Sequence, residues 1–120
     1  MKEQIKIPVP YLELLDQIFE IEKKIEAIKE SNSLSRNVNR MKEIFSNISS
    51  SSHEHGEGLT FHNPIGEPYN ETRTDLEASI AGKSAENLII VEVIKPIIRY
   101  RKGGTNLIAR KGVVVVESKL

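Results

Sequence analysis

Tyr11, Leu14, Ile18, Ile21, Ile25 and Ile28 are separated by three and four residues in strict alternation. That spacing puts all six on one seam of an α-helix, the pattern of paired helices. Leu15 and Phe19 widen the stripe, and the positions between are mostly Glu and Lys, which favour both helix and water. Pro8 and Pro10 suit a first turn, where a missing N–H goes unused. The pattern predicts a helix of about 23 residues, roughly 35 Å long. One exposed helix cannot bury such a seam, so the spacing asks for a partner helix, most simply from a second copy of the chain. Leu14, Ile18, Ile21, Ile25 and Ile28 are the expected dimerisation residues.

A second apolar series, Leu34, Val38, Met41, Phe45 and Ile48, runs one residue out of phase with the first. Ser31-Asn32-Ser33 lies between them. Serine and asparagine bond nearby backbone and favour caps and turns. Two arrangements fit: one long helix with a phase skip, or a helical hairpin. Together the two series make residues 9–49 a helical dimerisation arm. Four serines at 49–52, then His53, Glu54, His55 and two glycines, read as a flexible linker over 50–58.

From Leu59 the signals are those of turns and strands. Asn63-Pro64, Gly66 and Pro68 punctuate a loop. Leu88 to Ile94 is β-branched and nearly all apolar, which suits a strand buried on both faces. Pro96 ends it. Ile97 to Tyr100 begins another strand, and Lys102-Gly103-Gly104-Thr105 supplies a hairpin turn. Leu107 to Arg110 returns, Lys111-Gly112 bends, and Val113 to Val116 closes the sheet. The expected fold class is α+β: an N-terminal helical coiled-coil arm followed by a small all-β C-terminal domain over 59–118. A β module that small is marginal alone and gains from docking or dimerising.

The charge pattern narrows the partners. The net charge of zero is an average over unlike segments. Residues 51–86 carry a net −5 and residues 87–120 a net +5. Without cysteine there is no disulfide framework, thiolate zinc site or thiol nucleophile. No apolar run approaches the ~20 residues that span a bilayer. The first residues reach Pro8 with no apolar core of a signal peptide, so a soluble cytoplasmic protein is expected.

No catalytic constellation emerges. His53 and His55, with His62 nearby, sit on a serine-glycine stretch with no rigid scaffold for a metal. No G-x-S-x-G elbow is present. Gly103-Gly104 lacks the Walker spacing and leads into a strand rather than a helix. Asp75 and Glu77 have no recognisable dry cleft. No enzyme, cofactor or metal is expected. What stands out is a basic set: Lys95, Arg99, Arg101, Lys102, Arg110 and Lys111, with no acid between Val93 and Val116. Arg99 and Arg101 alternate with Ile98 and Tyr100, so both lie on one strand face. An outer solvated face, an acidic protein partner or nucleic-acid phosphates would each explain it. Tyr100 is the only aromatic there, which is poor provision for base stacking.

The second half resembles the C-terminal β domain of the GrpE family, the nucleotide exchange factors of DnaK-type chaperones. Gly66-Glu67-Pro68-Tyr69-Asn70 is similar to the family's Gly-x-x-aromatic-Asp segment, and Glu77-Ala78 to the end of its His-Glu-Ala signature. Ile90 to Ile94 resembles the strand before the family's hairpin. Arg110 to Val116 resembles its closing Arg-Pro-Ala-x-Val-x-Val segment. The resemblance covers residues 64–118 and departs from the family at Leu76, where histidine is usual, and at Pro96-Ile97, where Gly-Tyr is usual. It implies a homodimeric co-chaperone that binds the nucleotide-binding domain of a DnaK-type chaperone and promotes ADP release. The contact face it implies is the hairpin surface, with Arg99, Tyr100, Arg101, Leu107, Arg110 and Val116. The rival expectations are a dimeric adaptor without exchange activity and a nucleic-acid binder using the basic hairpin.

Overall fold

The computed structural model describes residues 7–28, 33–48 and 57–119. Two helices lead: α1 (Val9–Ala27) and α2 (Leu34–Ser46). Seven strands follow: β1 (Glu57–His62), β2 (Pro68–Tyr69), β3 (Leu76–Ala81), β4 (Leu88–Lys95), β5 (Ile97–Lys102), β6 (Thr105–Arg110) and β7 (Gly112–Ser118). They form a three-stranded sheet, β1-β5-β6, and a four-stranded sheet, β2-β4-β7-β3.

The expected coiled-coil arm is not what forms. The helices are short, 19 and 13 residues, and lie against each other and against the three-stranded sheet. Lys42 of α2 reaches Glu22 of α1 at 3.0 Å. Tyr11 lies near the end of α2 and Ile25 near its start, so the pair is an antiparallel hairpin rather than one long helix. Ser31 and Asn32 themselves lie outside the described residues. The physical reason for the correction is a second stripe beside the heptad seam. Leu15, Ile18 and Phe19 are 1%, 4% and 1% exposed, and this i, i+3, i+4 set faces the chain's own sheet. Ile18, expected at a dimer interface, is therefore spent inside the chain, and Ile25 packs at the edge of the same core.

From Leu88 onward the strands follow the sequence, whereas β1, β2 and β3 form where no individual strand was expected. β4 ends before Pro96, the hairpin turns at Gly103 with φ +62°, and β7 starts at Gly112. Two expectations need correction. The last valine strand does not close onto the β5–β6 hairpin. It crosses to the other sheet, pairing antiparallel with β4 and parallel with β3. Nor is β4 buried on both faces. Register shifts at Val91 and Ile94 break its ladder with β7, and these two side chains are 45% and 49% exposed. The sheet begins at Glu57, so the tail of the expected linker belongs to β1; Gly58 is buried.

Pro96 is the hinge between sheets. Ile97 and Ile98, next to it, point to opposite sides and are both fully buried. Ile97 joins Leu76, Leu88, Ile90, Val93, Val114 and Val116 in one cluster. Ile98 joins Leu15, Ile18, Val38 and Leu59 under the helices. Phe19 and Phe61 tie the clusters together through an edge-to-face contact at 5.8 Å. Helices and strands thus share one continuous core.

Candidate functional site

The strand alternation puts Arg99 and Arg101 on one face of β5, as expected, but acids and carbonyls of the same chain meet the cations there. The Arg99 guanidinium donates to Asp75 Oδ2 at 3.3 Å and contacts His62 Nδ1 at 3.1 Å. Asp75 also accepts two bonds from Arg73, at 3.0 and 2.9 Å. Arg73 reaches on to Glu67 at 3.0 Å, and Glu67 meets His62 Nε2 at 2.6 Å. An arginine can only donate, so His62 Nδ1 accepts and Nε2 carries the proton toward Glu67. The result is a closed ring of His62, Glu67, Arg73, Asp75 and Arg99, which fastens the 63–75 loop to the three-stranded sheet.

Arg110 is held more tightly. Its guanidinium makes two parallel bonds to Asp16 of α1, both 2.7 Å, and a third to the Pro96 carbonyl at 3.0 Å. This bidentate pair clamps helix to sheet. Arg101 donates to the Ser46 carbonyl at the end of α2, at 2.7 Å. The Tyr100 hydroxyl donates to the Glu57 carboxylate, which pushes the phenol pKa up, with burial adding to it. Of the six expected contact residues, Leu107 is the most open, at 43% exposure. Val116 is fully buried in the core and is removed from any contact face.

Sequence reasoning named the cations but not their counterparts. Asp16 is 94 residues from Arg110, and no spacing links the two. The sequence offers Asp75 only beside Glu77, as a carboxylate pair without a cleft, and not as a partner for Arg99. His53 and His55, which the sequence sets on a linker and not at a metal site, lie outside the described residues, and His62 is engaged by Glu67 and Arg99. Glu77 stands exposed on β3, away from any pairing with Asp75. Lys95, Lys102 and Lys111 remain exposed around the hairpin. No family model matches the chain, and no curated protein or solved structure matches it significantly.

The ring has a pH signature. Hydrogen bonds from Arg73, then the charges of Arg73 and Arg99, hold the Asp75 carboxyl below its usual range against the opposing effect of burial. A depressed folded pKa means stability that is complete above the unfolded value, about 4. It is lost as pH falls through the lower folded value. Asp75→Asn is therefore expected to lower the urea midpoint at pH 7 and to differ less from the parent chain as pH drops from 4 toward 2. Urea titrations of both chains over that range check this; an equal gap at every pH would refute it.

Proposed function

We propose that the chain is a GrpE-like co-chaperone that binds the nucleotide-binding domain of a DnaK-type chaperone and promotes ADP release. The observation that supports this reading is where the resembling segments fall. Pro68-Tyr69, Glu77-Ala78, Ile90 to Ile94 and Val113 to Val116 lie on β2, β3, β4 and β7, the four strands of one sheet. Segments scattered over fifty residues of sequence thus meet in one structural unit. The activity calls for no catalytic residue. A factor that binds the open nucleotide cleft better than the closed one shifts the population toward release. Its place is the cytoplasm, beside that chaperone. No described helix is long and apolar enough to cross a membrane.

The proposed assembly is a homodimer through what remains of the heptad seam. Leu14 and Ile21 stand seven residues apart on α1 and are 52% and 41% exposed; Ile28, extended just past its end, is 48% exposed, and Tyr11 and Ile44 lie together at 43% and 54%. Such a face on a small protein is an association surface. Replacing Leu14 and Ile21 together with Asp is expected to halve the mass in solution while leaving the unfolding midpoint of the monomer intact, since charge enters only the pairing face. Analytical ultracentrifugation checks this. A parent chain that is already monomeric would sink the dimer.

Exchange itself is tested by stopped-flow release of a fluorescent ADP from a DnaK-type chaperone. The expected result is faster release, saturating with added protein. No acceleration at saturation would overturn it. One observation favours a second reading, an adaptor that docks without exchange: Arg99, Arg101 and Arg110 are already engaged within the chain. Binding to the chaperone with unchanged ADP release would select that reading.

A further inference from the structure

We propose that β6 is an acceptor edge for an extended, acid-flanked strand of another protein. β6 is the outer strand of the three-stranded sheet. Thr105, Asn106, Leu107, Ile108 and Ala109 run along it without a charge. Leu107 and Ile108 are 43% and 39% exposed and, being consecutive, present apolar surface to both faces of the sheet. The other edges are less open. α2 closes β1, where Gly58 packs under Ser46 and the Ile48 N–H bonds the Glu57 carbonyl at 2.8 Å. β2 is two residues long. β3 carries Glu77 in its run, the kind of charge that guards an edge. A strand added to β6 gains main-chain hydrogen bonds and covers Leu107 and Ile108.

Charge selects the occupant. Lys102 and Lys111 bracket the uncharged run in sequence, and both are exposed and form no ion pair among the described residues. The nearby acids are engaged elsewhere: Asp16 holds Arg110, Asp75 holds Arg99, and Glu57 accepts from Tyr100. Lys102 ends β5 and Lys111 follows β6, so a second β6 added antiparallel would bring the Lys102 end of one copy's hairpin near Lys111 of the other, an unfavourable approach of like charges. The two lysines therefore act against self-pairing. An apolar strand with acidic ends turns both into favourable contacts. The hairpin is shared with the proposed chaperone contact, but strand addition does not require exchange, and the two readouts fail independently.

The test uses the full chain, isotope-labelled, and the capped peptide Glu-Glu-Val-Thr-Val-Ile-Val-Glu-Glu at low salt. Saturable backbone amide shifts and exchange protection are expected over Thr105 to Ala109. A version with proline at the central position should lose both, because it cannot complete the ladder. The double variant Lys102→Glu, Lys111→Glu changes exposed side chains that form no ion pair among the described residues; Lys102 lies opposite Glu57 in the β1–β5 ladder, so the variant is expected to fold with a small loss of stability. It should bind the acidic peptide about tenfold more weakly and prefer a lysine-flanked version. Shifts centred on the helices or the four-stranded sheet, equal affinity for both variants, no binding of the acidic peptide, or β6 pairing between copies would each overturn the proposal.

Discussion

Truncation of Phe19 to alanine is expected to cost about 3–5 kcal/mol and to unfold the strands together with the helices. Phe19 sits on α1, yet it belongs to the cluster built on β3, β4, β5 and β7. It is 1% exposed and meets the Phe61 ring edge-to-face, with Lys23 Nζ 5.0 Å from its own ring centroid. Removing the ring opens a cavity between α1 and the sheets, which the bidentate Asp16–Arg110 pair three residues away holds together. Neither can collapse inward without breaking the clamp, so the upper part of that range applies. The measurement is urea unfolding followed at once by helical circular dichroism and by amide exchange at Ile90 and Val114. Coincident loss at both probes marks one cooperative unit. Helices that melt while β4 and β7 stay protected would restore the separable arm.

That experiment bears on the element where sequence and structure part company. Heptad spacing and a sheet-facing stripe overlap on α1, since Ile18 belongs to both. Periods of 3.5 and 3.6 residues cannot be told apart over five turns. The spacing therefore located the helix, but not the stripe by which it packs on the chain's own sheet. In the β half the signals were local and each fell where expected: Pro96 between strands, Gly103-Gly104 at a turn, Gly112 at the last crossing. What local signals could not carry was pairing. Val113 to Val116 has the same composition whichever sheet it enters. The crossing is tight at Gly112, where an added Cβ would lie 2.9 Å from Ile97 Cγ1 and 3.0 Å from Leu76 Cδ2.

The same limit governed the basic hairpin. Its cations were countable, but their energetic state depended on acids brought near only by the fold. Opposite charges of the segments turned out to meet within the chain, through Asp75 with Arg99. Asp16 with Arg110 adds a pair from the neutral first segment. What remains at the surface is lysine rather than arginine: strongly hydrated point charges suited to steering and to exposed contacts, not to the planar pairing that guanidinium groups make. A partner for this hairpin therefore meets an apolar edge with cationic ends, a different surface from the arginine patch that composition suggested.

Gly58→Ala is the second large effect expected, a loss of about 3 kcal/mol, because the added carbon has nowhere to go. Its Cβ would lie 1.9 Å from the Ser46 carbonyl oxygen and 2.2 Å from the carbonyl carbon. These are backbone atoms, so no rotamer change relieves the overlap. The end of α2 would have to retreat by about 1.5 Å to restore an ordinary contact of about 3.4 Å. Two bonds resist that retreat: Arg101 to the Ser46 carbonyl at 2.7 Å, and the Ile48 N–H to the Glu57 carbonyl at 2.8 Å. The site thus concentrates three demands at the junction of helix hairpin and sheet. Gly104→Ala is the matched control, since nothing lies within 4 Å of its added Cβ. Chemical denaturation of the two variants side by side reads the difference. A Gly58→Ala midpoint equal to that of Gly104→Ala would mean that α2 does not rest on β1, and with it would fall the argument that the helix closes that edge and leaves β6 open.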